Sequence, residues 1–160
     1  LHPAAPGRVQ GTIRVATPSA TKSLLQGIRH TRQFTLRYPT YGCLETADLY
    51  LPADRTIEFH VTSLDAIHSF WAYELGIKAD ANPGVDNVAY LTTKGPRTFH
   101  IHCAELCGLW HGYMFSTGHI VDASQFTSWI KQQQQNFAPV AKFLPKSART
   151  YFPDPQRRAG

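Results

Sequence analysis

Long apolar segments are missing from this sequence. No run approaches the roughly 20 consecutive apolar residues that a membrane-spanning helix needs. The chain, which begins at Leu1, shows no signal-peptide pattern and no internal repeat. We therefore expect the chain as given to be soluble, with no transmembrane segment of its own.

Cysteine is scarce, with three residues among 160. A disulfide framework is not indicated, because Cys103 and Cys107 lie only four positions apart, a spacing that suits a metal ion better. Cys43 has no histidine close to it in the sequence. We predict that Cys43 is a buried, unreactive thiol, as free cysteines commonly are.

Clusters of basic charge are missing, although the chain has a net charge of +5 and a pI of about 9.3. Its basic residues are dispersed in pairs such as Arg29 with Arg32 and Arg157 with Arg158. Nucleic-acid-binding domains concentrate Lys and Arg on one face or along one groove, often with stacking aromatics. We therefore exclude nucleic acid as a partner and favour an anionic membrane surface or an acidic protein.

Composition and patterning indicate an all-β domain. The chain is long enough to bury one core, and 11 Gly and 11 Pro separate six to eight short candidate strands. The clearest strand is "TIEFHVTS", where Ile57, Phe59 and Val61 share one face. His60 falls on the opposite face and is predicted to face solvent or to be locally bonded. We predict a Greek-key β-sandwich or barrel.

Three regions are predicted along the chain. Residues 1–27 form a loosely ordered N-terminal lead-in with a short strand at "TIRV", and residues 28–136 form the β-domain. A helix with Ser124 as its N-cap runs through "QFTSWIKQQQQ" at the end of this domain. Residues 137–160 form a Pro-rich C-terminal extension.

The stretch "HCAELCGLWHGYM" (102–114) concentrates side chains that bind soft metals. Blue-copper sites hold the metal with two imidazoles and one thiolate, plus a weak axial methionine. Cys107, His111 and Met114 supply a late cluster of this type, and His68 can be the early histidine. These residues predict a cupredoxin-like metal site.

Cys103 is surplus to the needs of one copper ion. Two thiolates that both bridge would instead suit two copper ions, each of which also binds one imidazole. Met114 or a backbone carbonyl between the cysteines would then be a weak further ligand. Such a site suits electron transfer, because one electron shared over two ions should change bond lengths little.

Other interpretations of these residues stay open. Zinc would accept a Cys2His2 set formed by Cys103, Cys107, His111 and His68. That choice leaves Glu105 and Met114 without a role. His100 and His102 also precede Cys103 closely, but in an extended "TFHIHC" they point away from the face that carries Cys103.

Three segments in order, "VTSLDAIHSFW", "LGIKADANPG" and "CAELCGLWHGYM", resemble subunit II of cytochrome c oxidase in its soluble binuclear copper (CuA) domain. The similarity runs from about residue 33 to 131. It implies a cupredoxin β-barrel on the outer face of an energy-transducing membrane, periplasmic or facing the intermembrane space. There the domain would be part of an integral membrane complex.

The resemblance also implies a ligand set for two copper ions. In chain order, it consists of His68, Cys103, the backbone carbonyl of Glu105, Cys107, His111 and Met114. The two cysteines would bridge the coppers and the two histidines would be terminal ligands. The side chain of Glu105 would bind a magnesium ion shared with haem-bearing subunit I, since a carboxylate is a hard ligand.

The function that the resemblance implies is that of the electron-accepting subunit of a haem–copper terminal oxidase. Single electrons from cytochrome c or another small donor would pass to haem in subunit I. There oxygen is reduced to water and protons are pumped. The chain would thus belong to an oxidoreductase and translocase, with other oxidase subunits as partners, without itself holding the oxygen-reducing site.

Three features depart from the usual pattern of this family. Two transmembrane helices usually precede the domain, and none is present in the sequence as given. The tryptophan through which electrons enter is missing from "RQFTLRYPTYG", where Phe34, Tyr38 and Tyr41 are the available aromatics. The chain is basic, whereas well-known members dock a basic cytochrome c on an acidic patch, so we predict a neutral, acidic or tethered donor.

Alternative functions stay open at this point. A nitrous-oxide reductase carries the same copper domain, but it typically has Trp between the cysteines and a large catalytic domain. A nitric-oxide-reducing haem–copper relative would share the site. A copper chaperone or store is expected to hold one exchangeable copper.

Overall fold

The computed structural model describes residues 11–16, 34–42, 44–63 and 65–141. Over these residues the chain forms ten β-strands, three short 3-10 turns and one α-helix. The strands are β1 (Gly11–Ala16), β2 (Phe34–Tyr38), β3 (Leu44–Thr46), β4 (Leu49–Pro52), β5 (Thr56–Ser63), β6 (His68–Ala72), β7 (Ile77–Ala81), β8 (Asn87–Thr92), β9 (Arg97–Cys103) and β10 (Phe115–Val121). The helix, α1, spans Ala123–Ala141.

The strands form two five-stranded sheets within the part of the chain that the structure describes. The first has the order β3-β2-β1-β5-β8, and the second has the order β4-β10-β9-β6-β7. β1 pairs in parallel with β2, and β10 pairs in parallel with β4, whereas the other strand pairs are antiparallel. This architecture confirms the predicted all-β, cupredoxin-like class.

Strand β5 shows how the alternating pattern builds the core. Ile57, Phe59 and Val61 are completely buried, as their shared face predicts. His60 lies on the other face, but it is only 8% exposed. Its Nδ1 lies 2.9 Å from both carboxylate oxygens of Asp86, and its Nε2 contacts Glu58. Local bonding of His60 is therefore confirmed, and the solvent-facing alternative is wrong.

Tyr38 connects the two sheets. Its hydroxyl donates to the backbone carbonyl of Tyr50 over 3.0 Å and accepts a hydrogen bond from the Tyr50 N–H over 2.8 Å. Since β2 and β4 belong to different sheets, these bonds fix the spacing of the sheets at one end. Burial raises the pKa of the Tyr38 hydroxyl, so this group remains a donor.

Helix α1 covers the same end of the sandwich. Its Phe126 and Ile130 are buried, and the Trp129 ring stacks on Tyr50 with the centroids 4.3 Å apart. The predicted N-cap is wrong: the Phe126 N–H already bonds to the Asp122 carbonyl over 2.8 Å. Ser124 therefore lies inside the first turn.

The domain boundaries remain predictions. The short strand expected at "TIRV" is confirmed as β1, which pairs with both β2 and β5. Cys43, the Pro-rich stretch after Ala141 and most of the lead-in lie outside the described residues. In the described ranges, no helix combines the length and apolarity required to cross a bilayer.

Charge is unevenly divided along the chain. Nine of the 16 Lys and Arg residues lie outside the described residues: Arg8, Lys22, Arg29, Arg32, Lys142, Lys146, Arg149, Arg157 and Arg158. Asp154 is the one acidic residue of the 11 that also lies outside them. The described residues thus carry more acidic than basic side chains, and the basic excess of the whole chain does not characterise the β-sandwich.

Candidate metal centre

Strand pairing brings His68 and Cys103 together, although 35 positions separate them in the sequence. His68 is the first residue of β6, and Cys103 is the last residue of β9. The two strands are antiparallel, with Phe70 opposite Cys103, and the Ala104 N–H bonds to the Ser69 carbonyl over 2.9 Å. Two rigid strand ends therefore hold one imidazole and one thiol on the same side of the centre.

A tight loop supplies the other candidate ligands. Residues 104–110 form no regular element, and Gly108 has a φ of 114°, which favours glycine. A 3-10 turn, His111–Tyr113, then leads to Met114. The Cys103 N–H bonds to the Met114 carbonyl over 2.9 Å, which closes the loop at its base. The segment from Cys103 to Met114 is therefore a turn-rich loop.

The candidate donor atoms converge in two groups around the sulfurs. The two Sγ atoms lie 3.7 Å apart. Cys103 Sγ lies 4.0 Å from His68 Nδ1 and 3.3 Å from the Glu105 carbonyl oxygen. Cys107 Sγ lies 3.7 Å from His111 Nδ1 and 3.4 Å from Met114 Sδ. The two sulfurs therefore lie at these distances from different imidazoles and from different further donor atoms.

One group of donor atoms is compact enough to hold a metal ion. The donor atoms of His68, Cys103 and Cys107 all lie within 4.8 Å of one another, and His111 is not part of this group. The donors of a tetrahedral zinc ion lie about 3.3–3.8 Å apart, given metal–ligand bonds of about 2.0–2.3 Å, and the 3.7 Å between the two sulfurs falls in that range. Distances alone therefore do not separate zinc from copper, and the thioether of Met114 beside Cys107 is the feature that favours copper.

Hydrogen bonding shifts the titration of the Cys103–His68 pair. Burial raises the pKa of the Cys103 thiol, but contacts with His68, the Ser69 and Glu105 backbone and His111 outweigh burial and lower this pKa to about 6. Burial also lowers the pKa of His68, but Cys103 and Asp65 together raise it. The pair is therefore prepared to hold a thiolate, the form of cysteine that binds metal.

Asp65 is a functional candidate that the sequence analysis missed. Its Oδ1 accepts a hydrogen bond from His68 Nε2 over 2.9 Å, on the side of the ring opposite Cys103. Ser63 Oγ lies 3.0 Å from the same oxygen. The signal was present in "VTSLDAIHSFW", because an acidic residue just before a metal-binding histidine often orients that histidine.

Glu105 has two separate functional groups in this centre. Its backbone carbonyl faces Cys103 Sγ, while its side chain is exposed and accepts the Leu106 N–H over 3.2 Å. The carboxylate is thus available to a hard cation outside the cysteine cluster.

His100 and His102 do not join the cluster. Both side chains are exposed, as the extended β9 predicts. His100 donates to Glu74, with its Nδ1 2.8 Å from Glu74 Oε1. The His102 ring lies between Tyr73 and Phe115, with centroid distances of 5.8 and 6.5 Å.

The three aromatics predicted for electron transfer differ in their exposure. Phe34 and Tyr38 belong to the core, with 2% and 1% of their surface exposed, while Tyr41 is half-buried. Phe34 packs edge-on against Phe70, two residues after His68. Tyr41 packs against Phe126 of the helix.

Large apolar side chains surround the loop and face outward. Leu106 is 85% exposed and Leu109 is 88% exposed, and Trp110 and Tyr113 beside them pack edge-to-face. A concentration of exposed apolar side chains of this kind is typical of a site that another protein covers.

Comparison with known proteins gives a consistent result. The family described as cytochrome c oxidase subunit II, periplasmic domain, matches residues 31–121. Cytochrome c oxidase subunit 2 of Synechocystis sp. is 30% identical over 133 residues, which cover 81% of this chain and 39% of the relative. The Thermostichus vulcanus protein is 33% identical over 108 residues, covering 68% and 32%. The chain thus spans about a third of the length of the curated relatives it matches.

Two solved structures are similar to this fold. The periplasmic domain of subunit II of cytochrome oxidase from Bradyrhizobium japonicum has a TM-score of 0.62 and 27% identity, over 64% of this chain and 86% of that one. A mixed disulfide intermediate between a thioredoxin-like protein and subunit II of cytochrome c oxidase has a TM-score of 0.60 and 28% identity, over 66% and 86%.

Proposed function

This chain belongs to the cytochrome c oxidase subunit II family through its periplasmic domain, and we propose that it is the electron-accepting part of a haem–copper terminal oxidase. The observation that carries the proposal is the paired donor arrangement, in which each of two adjacent sulfurs faces its own imidazole. Oxygen would be reduced to water, and protons pumped, at the haem-bearing subunit I rather than in this chain.

The donor set fits a pair of copper ions. Thiolate, imidazole and thioether are the ligands that copper prefers in electron-transfer sites. Cys103 and Cys107 would both bind the two ions, and His68 and His111 would be the terminal ligands. The Glu105 carbonyl and Met114 Sδ would be weak ligands at opposite ends, since they lie nearest to Cys103 and Cys107 respectively.

Bound copper would supply one-electron redox chemistry. The protein residues hold their positions so that little has to move when the charge changes. His68, Cys103 and Met114 are buried, and the bond from the Cys103 N–H to the Met114 carbonyl ties the loop to the strands. A rigid, mostly buried ligand set keeps the reorganisation on electron transfer small.

The exposed side of the loop is the proposed contact with subunit I. Leu106 and Leu109 would contribute apolar area, and the Glu105 carboxylate would bind a magnesium ion at the interface. A carboxylate that is exposed in this domain suits a site completed by a partner. Other oxidase subunits would contact the remaining surface.

The proposed donor is cytochrome c or another small electron carrier on the outer side of the membrane. Phe34, Tyr38 and Tyr41 remain the proposed residues through which electrons enter. Of the three, Tyr41 has the surface to meet a donor, while the buried Phe34 and Tyr38 could act only behind it. The neutral, acidic or tethered character of the donor also remains a prediction. The basic charge of the whole chain no longer supports it, because the described residues carry more acidic than basic side chains. Rapid reduction by a strongly basic cytochrome c, falling steeply with salt, would contradict it.

Copper reconstitution followed by electron paramagnetic resonance tests the proposal. We expect a seven-line hyperfine pattern, because one electron would be shared over two copper nuclei. A four-line pattern typical of mononuclear copper would contradict it and would favour a chaperone or a store. Zinc uptake with no copper uptake would favour a structural Cys2His2 site instead.

A further inference from the structure

We propose that Asp65 is a positioning residue for the metal centre: it holds the proton of His68 on Nε2 and thereby leaves Nδ1 free to bind metal beside Cys103. The inference rests on the proposed function only for the identity of the metal. The tautomer of His68 is a property of the metal-free chain and can be measured by itself.

The hydrogen-bond geometry around His68 carries this assignment. Asp65 Oδ1 lies 2.9 Å from His68 Nε2, whereas His68 Nδ1 faces Cys103 Sγ at 4.0 Å. His68 is completely buried, so bulk water cannot substitute for either partner. The two ring nitrogens therefore meet two different environments, one carboxylate and one sulfur.

The Asp65 carboxylate is itself held in place. Ser63 Oγ lies 3.0 Å from Asp65 Oδ1, and the Asp65 N–H donates to Ser63 Oγ over 3.3 Å. Ser63 is the last residue of β5 and is 1% exposed, and its Oγ also lies 2.5 Å from the Ala66 carbonyl oxygen, which holds the hydroxyl in place. Ser63, Asp65 and His68 form a chain that transmits the position of β5 to the imidazole.

The chemistry of imidazole explains what the hydrogen bonds from Ser63 to Asp65 and from Asp65 to His68 achieve. A neutral imidazole carries one N–H, and the nitrogen without hydrogen is the one that binds a metal. With the proton on Nε2, the ring donates to the carboxylate, which also raises the basicity of Nδ1. With the proton on Nδ1, two lone pairs would face each other at Nε2, and the metal-binding nitrogen would be blocked.

The opposite end of the centre has no equivalent. Within the described ranges, the polar side-chain contacts of His111 are with the two cysteines, and its Nδ1 lies 3.7 Å from Cys107 Sγ. His111 is half-buried, so water can reach its ring. Asp65 thus makes the two imidazoles unequal, and its loss should weaken the His68 end selectively.

The test compares the full chain with the variants Asp65→Leu, Asp65→Asn and Asp54→Asn. Leucine removes the acceptor at similar size, and asparagine keeps an acceptor oxygen without the charge. Asp54 is the matched control: it is an exposed aspartate in the turn before β5, at a φ of 53° that asparagine tolerates. The length of β5, about 23 Å over seven residue steps, separates Asp54 from the Ser63 end.

Two measurements are made on each variant. Nitrogen-15 NMR of the metal-free protein, at a pH where His68 is neutral, reports which ring nitrogen carries the proton. Titration with Cu(I) under a competing chelator reports copper affinity. In the parent chain we expect the proton on Nε2. D65L should lose this preference and bind copper about 10–100-fold more weakly, D65N should recover most of the affinity, and D54N should match the parent.

The proposal would be overturned by a parent chain with the proton on Nδ1, or by D65L with the copper affinity of the parent. Equal losses in D65L and D54N would also overturn it, since they would indicate general destabilisation. If D65L does not fold, the Ser63→Ala variant is measured instead. S63A leaves Asp65 in place without its contact to the Ser63 hydroxyl, so a several-fold loss of affinity supports the proposal and parental affinity contradicts it. A parent chain that takes up no copper would contradict the proposed function, while the tautomer measurement would still decide the role of Asp65.

Discussion

The two ends of the metal centre are built in different ways. The His68–Cys103 end consists of strand termini: both side chains are buried, and each is bordered by backbone hydrogen bonds of the sheet. The Cys107–His111 end lies on a loop, and both of its side chains are only half-buried. Sheet hydrogen bonds thus fix one end before any metal binds, whereas the other end depends on the loop.

Met114 is the exception on the loop side. It is 1% exposed, and its carbonyl accepts the Cys103 N–H, so it anchors the end of the loop to the sheet. The difference between the two ends shows that residues close in sequence to Cys103 are not the ones held rigidly beside it. Cys103 is close to Cys107 and His111 in sequence, yet its rigid structural partner is His68, which comes from another strand.

The largest effect is expected when Cys103 is replaced and Cys107 is kept. Cys103→Ser removes a sulfur from the buried end and should abolish the shared-electron spectrum. A mononuclear copper with Cys107, His111 and Met114 would then remain, because that end keeps its thiolate, imidazole and thioether. Electron paramagnetic resonance and copper counting of the loaded variant check this. A C103S variant that keeps two coppers and the seven-line pattern would show that the ends are not built around two bridging sulfurs.

The next effect concerns the packing of β10 against β9, the strand that ends at Cys103. A Cβ at Gly118 of β10 would overlap the Phe99 ring, which is completely buried on β9. Gly118→Ala should therefore lower the free energy of unfolding by about 1–3 kcal/mol through overpacking. Urea unfolding of the metal-free chain measures it. Gly112→Ala is the control on the loop side, where an added Cβ meets no atom within 4 Å and little change is expected.

A smaller effect concerns pH. The pKa of Cys103 is lowered to about 6, so folding favours its thiolate. This contribution to the free energy of unfolding is fully present above the ordinary thiol pKa of about 8.5. It is lost as the pH falls through about 6. Thiolate absorbance of metal-free Cys107→Ser protein should show a step near pH 6 that is missing when Cys103 is also replaced. A step at the ordinary thiol value would show that the buried end does not stabilise the thiolate.

The smallest effect on the domain itself is expected at the loop tip. Leu109 is 88% exposed, so Leu109→Ser should change the free energy of unfolding by less than about 0.5 kcal/mol and leave copper binding intact. The same change should weaken association with subunit I, as co-purification with the oxidase would report. A large loss of stability would mean that the tip packs within this chain rather than against a partner.

Part of this structure was predictable from local patterns. The period-2 run in β5 predicted the buried face of Ile57, Phe59 and Val61, because side chains of a strand alternate between its faces. The spacing of Cys103, Cys107, His111 and Met114 predicted a soft-metal loop. The predicted helix start at Ser124 was wrong by two residues, since serine in the first turn resembles a cap when only the sequence is read.

Residue types and their spacing alone determined the fold class, the candidate loop ligands and the family resemblance, since these depend on neighbours in sequence. Only the tertiary structure placed His68 Nδ1 beside Cys103, set Asp65 behind the imidazole, buried Phe34, Tyr38 and His60, and assigned one imidazole to each sulfur. The physical reason is that β6 and β9 pair across 35 residues, and sheet register and burial come from contacts between distant segments.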